Sequence, residues 1–282
     1  MNLSEMHVVV TGGAGRVGKT LRKAMSAEFR KVTVLDLVAE TDLAENEVAS
    51  VCDIVDLAAL TGALEGADAL IHLAGYPIDQ AIEDILRVNC QGTWNLYEAA
   101  RQQGIGRVVQ ASSNHATGFY RRDQRVSPDM PMRPDGSYGL SKCFGELVAG
   151  LYWDKAGIRT LSLRIGNAMD RPSHRRGLVT WISPRDLAQQ VRIGLTHPDI
   201  DATVIYGVSA CEDGWWDNSV ATALGYVPQD RIEDFATPDA WTSPLETEVA
   251  ETFQGGMFCS VNHDGVIRGR ADLLSKSNSD HD

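Results

Sequence analysis

The chain has 282 residues, 43% of them hydrophobic, and a formal net charge of −12. That length and apolar content suffice for one large domain with its own core, or for a domain with a small appendage. The acidic balance argues against nucleic acid or an anionic membrane surface as the main partner.

Strand and helix signals alternate along the chain. Strands are predicted at 7–11, 31–35, 47–52, 69–73, 107–112, 159–164 and 202–206, and helices at 16–28, 56–65, 80–104, 137–157 and 184–195. Apolar strand runs alternating with helices imply a parallel sheet covered on both faces. Right-handed crossovers then give an α/β fold, a doubly wound Rossmann-type sheet that binds ligands at the carboxyl ends of its strands. From about residue 166 the regularity weakens. The stretches 166–180, 209–219 and 229–256 read as loops and short elements. The expectation is one domain over 1–282. Its cofactor-binding core covers about 1–165. A small discontinuous cap covers about 166–270, with some core elements returning.

The first strand runs through Val8, Val9 and Val10 into Thr11-Gly12-Gly13-Ala14-Gly15-Arg16-Val17-Gly18. Gly12, Gly15 and Gly18 allow a tight turn, close approach of backbone to a pyrophosphate, and close helix–strand packing. The amides at the start of the next helix face the phosphates. The second strand ends in Asp36, about 20 residues on, where a carboxylate accepts hydrogen bonds from the adenosine ribose and repels a 2′-phosphate. NAD is therefore expected over NADP, although Arg16 in the phosphate turn is a cation able to tolerate NADP. Asp53, before Ile54, either meets the adenine amino group or caps a turn. His72-Leu73-Ala74-Gly75 follows the fourth strand with small residues that let backbone approach the cofactor. Asn89 lies in a predicted helix, where Asn is a poor former; a bond to a neighbouring strand is its expected role.

Tyr138-Gly139-Leu140-Ser141-Lys142 is the chain's most informative stretch. Residues four apart share a helix face, so Tyr138 and Lys142 point into one pocket. An ammonium beside a phenol favours the phenolate and lowers the Tyr pKa from about 10, which makes Tyr138 a candidate general base. Ser112-Ser113 lies one strand-to-helix excursion upstream. Cys52, Cys90, Cys143, Cys211 and Cys259 are odd in number and without metal spacing, which predicts reduced thiols in a cytoplasmic protein. Cys143 reads as a small packed residue rather than a nucleophile. Seven histidines show no helical pair, so no metal site is expected. No basic-then-apolar leader is visible, and no stretch approaches the about 18 apolar residues of a membrane span. The polar tail 275–282 reads as frayed.

Taken together, the glycine turn, Asp36, His72–Gly75, Ser113 and the Tyr138/Lys142 pair resemble the extended short-chain dehydrogenases/reductases over nearly the whole chain. Within them, four stretches are similar to the uronate dehydrogenases: Ala111–His115, Arg133–Glu146, Asp213–Asn218 and Phe253–Gly256. That resemblance implies oxidation of galacturonate or glucuronate at C1 with NAD, giving an aldarolactone. It implies Tyr138 as base, Lys142 as its electrostatic partner and ribose ligand, and Ser113 as the hydroxyl that holds the reacting oxygen. Ser112 is left as a strand residue. Asn114 and His115 would line the sugar site, and Arg176 would bind the carboxylate, with Arg175 its possible confusion. Two positions depart from the pattern: Pro77 and Asn167 stand where the family carries serines, which alters hydroxyl reading but not the chemistry. The resemblance of helices 80–104 and 137–157 to the superfamily's dimer interface implies a homo-oligomer. The competing readings are an aldose 1-dehydrogenase acting on neutral sugars, a sugar-nucleotide epimerase or dehydratase, and a dinucleotide-sensing regulator without turnover.

Overall fold

The computed structural model describes residues 2–269; the expected frayed tail lies outside them. Seven parallel strands form one sheet in the order β3-β2-β1-β4-β5-β6-β7. They are β1 (His7–Thr11), β2 (Lys31–Asp36), β3 (Glu47–Val51), β4 (Ala69–His72), β5 (Arg107–Ser113), β6 (Arg159–Ile165) and β7 (Ala202–Gly207). The chain starts in the centre and winds first to one edge, then back past β1 to the other. The strand order therefore reverses between β1 and β4, and the crevice at that switch is where this architecture binds ligands.

The apolar run of β1 is explained by burial from both sides. Val8 and Val10 pack with Leu21 and Met25 of α1 (Arg16–Met25) and with Leu187, Val191 and Leu195 of a later helix. Val9 faces the other layer, with Leu60 of α2 (Leu57–Ala63) and Leu96 and Tyr97 further on. The predicted helix over 80–104 is compound. α3 (Ile82–Asp84) widens into a π-helical turn (Ile85–Gln91) and returns to α4 (Gly92–Gln103). Asn89 sits in that widened turn. Its amide bonds the backbone N–H and carbonyl of Tyr76 at 2.8 and 3.0 Å and the Ser141 hydroxyl at 3.0 Å. It therefore ties the loop after β4 to α5 (Ser137–Ala156), rather than bonding a strand. π-turns of this kind gather near functional sites.

Beyond β6, the short helix α6 (Gly177–Thr180) leads into α7 (Pro184–Thr196), whose start is capped by the Ser183 hydroxyl, 3.0 Å from the Asp186 N–H. α7 and β7 rejoin the core. Five short helices, α8 (Ser219–Ala223), α9 (Ile232–Phe235), α10 (Pro238–Thr242), α11 (Glu248–Thr252) and α12 (Met257–Ser260), complete the region over the carboxyl edge. Among the described residues no helix is long and apolar enough to cross a membrane.

One buried ion pair braces the sheet under that edge. Arg164 of β6 meets Glu146 of α5 through two hydrogen bonds of 2.9 and 2.8 Å, and Glu146 also accepts from the Ser112 hydroxyl at 2.5 Å. Both charged side chains are at most 2% exposed. Removing one partner leaves an uncompensated interior charge. Glu146→Ala should therefore lower unfolding free energy by about 3–5 kcal/mol. The double variant Glu146→Leu/Arg164→Met should recover most of that loss in the same urea titration.

Candidate active site

The carboxyl ends of the strands carry two adjoining cavities of about 300 and 280 Å³, which share Leu73, Gly75 and Tyr76 on their walls. The first lies over the switch point. Gly12 follows β1 with φ +70°, and a Cβ there would come within 2.6 Å of the Ala74 backbone. Only glycine fits a turn of that hand pressed against the β4 turn. A Cβ at Gly18 would meet the Gly12 carbonyl at 2.5 Å, so Gly18 serves helix–turn packing behind the wall. Asp36 closes the opposite side. Its carboxylate accepts from the Ala14 N–H at 3.0 Å and the Leu37 N–H at 2.8 Å, which fixes it on the rim. Asp53 lines the cavity with Ile54, and its carboxylate caps the turn by accepting from the Val55 N–H at 3.0 Å.

The second cavity sits over β5 and β6. Tyr138 opens α5, and its own N–H donates to Asp79 at 2.7 Å, while the Ser137 hydroxyl donates to the same oxygen at 2.9 Å. Asp79 thus caps the helix that carries the phenol. It comes from the loop after β4, which is why no local capping signal marks it in the sequence. Ser113 ends β5 on the wall of the same cavity as the Tyr138 phenol, and its hydroxyl accepts from the His115 N–H at 3.2 Å. The Ser112 hydroxyl turns away to Glu146. Lys142 lies one turn on. Its ammonium donates to the Ala111 carbonyl at 2.9 Å and stands 5.5 Å from the Tyr138 ring centre.

A family model described as the NAD dependent epimerase/dehydratase family matches residues 8–191. The chain belongs to that family. Uronate dehydrogenase of Pseudomonas putida is 42% identical over 254 residues, spanning 89% of this chain and 94% of that one. The crystal structure of uronate dehydrogenase from Agrobacterium tumefaciens has a TM-score of 0.86 at 38% identity, covering 91% of this chain and 97% of that one. A mutant of the latter enzyme, complexed with NAD, matches with the same TM-score of 0.86.

In this family member the electrostatics differ from the expectation for the Tyr/Lys pair. Burial pushes the Tyr138 phenol up to about 12, with the neighbouring Ser113 hydroxyl opposing it. Burial likewise lowers the Lys142 ammonium to about 8. Desolvation penalises both charged forms, and at 5.5 Å, with the ammonium turned to a carbonyl, the attraction does not overcome it. Arg16 and Val17, at the start of α1, line the second cavity beside the first.

Arg176 reaches the second cavity while Arg175 is exposed at the surface. The Arg176 Nε donates to the Gln254 carbonyl at 2.8 Å. Asn114, oriented so that its nitrogen donates to the Ile165 carbonyl, accepts from Arg176 Nη2 at 2.5 Å. Asn114 therefore stands behind the wall and holds Arg176. Pro77, His115 and Asn167 do line the cavity, joined by His174 and Phe258, which the sequence reading passed over. The Asn167 amide lies 3.3 Å from His174 Nε2. Phe258 reaches the site only because the distant Gly255–Cys259 turn folds over it. The wall carries Arg16, Lys142 and Arg176 and no carboxylate.

The buried Lys142 makes stability depend on pH. Its folded value of about 8 lies below the ordinary 10.5. Below pH 8 both states are protonated and the penalty is fully present. Between pH 8 and 10.5 the unfolded chain binds the extra proton, so stability rises with pH. The unfolding free energy of the wild type minus that of Lys142→Met should climb across that window in denaturant titrations. A flat difference would place the ammonium in solvent.

Proposed function

We propose that this chain oxidises a uronate, galacturonate or glucuronate, at C1 with NAD, producing the aldarolactone. The observation that carries this reading is the second cavity: two hydroxyls, Ser113 and Tyr138, beside a cationic wall without a carboxylate, in a chain of net charge −12. The similarity to uronate dehydrogenases over nearly the full length supports it.

The first cavity fits NAD. The Gly12 turn leaves backbone where a side chain would block the pyrophosphate. Gly15, Arg16 and Val17 present the helix start to the phosphates. Asp36 takes the adenosine ribose, Asp53 and Ile54 the adenine, and Leu73, Ala74 and Gly75 floor the nicotinamide end. Bound NAD supplies the hydride acceptor. Ser113 holds the C1 hydroxyl and Tyr138 removes its proton. The phenol, pushed up to about 12 by burial in the free protein, would take the proton as the C1 hydroxyl acidifies. Lys142 favours the developing phenolate and would hold the nicotinamide ribose. Arg176 takes the substrate carboxylate, since a guanidinium fork matches it through two charge-assisted bonds. His115, Pro77 and Asn167 flank the sugar, with Asn114 acting through Arg176. Oxidation of a ring hemiacetal gives the lactone without water. A neutral-sugar dehydrogenase would leave Arg176 without a counterion.

The free thiols of all five cysteines suit the reducing cytoplasm. The exposed Trp94 on α4 and Leu140 and Leu147 on α5 offer an apolar face to a second copy, in keeping with a homo-oligomer.

Tyr138→Phe should bind NADH as the wild type does, by fluorescence titration, and lose about 10²–10⁴-fold in turnover of galacturonate. Rates within tenfold of the wild type would remove Tyr138 from the chemistry. NAD should exceed NADP in kcat/KM, and Asp36→Ala should narrow that ratio by relieving a like-charge contact. Equal use of both cofactors by the wild type would contradict the Asp36 assignment.

A further inference from the structure

A second buried pair stands against the sugar cavity, and its carboxylate has no part in the steps above. Asp135, three residues before Tyr138, has a side chain with no exposed surface, and its Oδ2 lies 2.6 Å from His115 Nδ1. Its other oxygen, Oδ1, is buried without a hydrogen-bond partner among the described residues. A carboxyl left half-satisfied in a closed space is costly, so its position calls for a role. Three glycines make room for it. A Cβ at Gly118 or Gly255 would strike the carboxyl, and one at Gly139 would lie 3.0 Å from Oδ1. The imidazole is held as firmly: Phe258 packs on its face at 3.9 Å between ring centres, and Tyr138 meets it edge-on at 5.8 Å.

We propose that Asp135 is a positioning residue that locks His115 with its proton on Nδ1, so that Nε2 faces the sugar as a hydrogen-bond acceptor. A carboxylate oxygen accepts and does not donate, so the nitrogen facing it carries the hydrogen. Burial keeps the imidazole below the usual histidine range despite Asp135, so it is neutral at pH 7 and its second nitrogen is bare. The acceptor then chooses how the pyranose lies. C1 sits between Ser113 and Tyr138 and has two ring neighbours: the ring oxygen, which only accepts, and C2, whose hydroxyl donates. A bare Nε2 beside Tyr138 pairs with the C2 hydroxyl and repels the ring oxygen. The same lock sets one facial orientation of C1 and reads the presence of a 2-hydroxyl. This part of the argument rests on the uronate reading above; the protonation state of His115 does not.

Two measurements test it. Imidazole ¹⁵N NMR of the sugar-free protein, with the His115 signal assigned by its loss in His115→Gln, should show the proton on Nδ1 at pH 7. A proton on Nε2, or on both nitrogens, would overturn the proposal whatever the enzyme oxidises. Steady-state kinetics should then show glucuronate preferred to its 2-deoxy analogue by about tenfold in kcat/KM, the worth of one good hydrogen bond. Asp135→Ala should shrink that preference to within about threefold, whatever it does to the rate on the 2-deoxy analogue itself. An undiminished preference in Asp135→Ala would overturn the positioning role. Should that variant fail to fold, the NMR result on the wild type decides. Should no uronate be oxidised, the functional reading fails while the NMR result still judges the lock.

Discussion

A guanidinium set into the second cavity without a carboxylate of its own is the constraint around which the neighbouring wall is arranged. Burial lowers Arg176 to about 10, with Asp135 opposing the shift from behind the wall. The neutral partners around it are oriented dipoles: the Gln254 carbonyl and the Asn114 amide. Gly256, at φ +64°, has no room for a side chain, since a Cβ would come 2.8 Å from the Arg176 stem. Gln254 in turn is fixed by Trp216, whose indole donates to it at 2.9 Å, and by the carbonyls of Arg121 and Gln124. The Trp215-Trp216 and Phe253–Gly256 stretches therefore share one task, which is to hold a cation in place where an anion can complete it. A charge kept in low dielectric with dipoles alone gains more from an incoming carboxylate than an exposed one does.

The same dryness shapes the rest of the site. It lifts the Tyr138 phenol and lowers the Lys142 ammonium, so the free protein holds a neutral phenol beside an ammonium that burial makes easier to discharge. On the proposed function, charge would develop on the phenol only during the reaction, in surroundings already oriented by Asp79 and the Ala111 carbonyl. Such preorganisation stabilises developing charge better than solvent that must turn to meet it. The Arg164–Glu146 pair beneath fixes the strand end that carries Ser112 and Ser113.

Most of the fold was legible because both faces of the sheet are buried. β1 reads as an unbroken apolar run for that reason, and each predicted strand falls within one residue of its observed ends. The glycine turn, Asp36 and the Tyr138/Lys142 spacing were legible because each depends on local geometry. Contributions set by tertiary contact were not. Asp79 caps a helix 58 residues away, and Phe258 arrives on a turn from the far end of the chain. Asn114 resembles a wall residue in sequence because its neighbours Ser113 and His115 are; in the 3₁₀ turn there, successive side chains point about 120° apart. The sign of the Tyr138 shift was missed because spacing shows which groups meet but not how much water is excluded.

The central claim is that the unpaired Arg176 selects an acid sugar. The ratio of kcat/KM for galacturonate over galactose with NAD tests it most directly, because the two sugars differ only in the group that Arg176 would hold. A partly buried bidentate contact is worth about 1.5–3 kcal/mol. The wild type should therefore favour galacturonate by at least about tenfold, and Arg176→Ala should lose most of that margin while Arg175→Ala keeps it. Equal use of the two sugars by the wild type would contradict the account and leave Arg176 a structural cation.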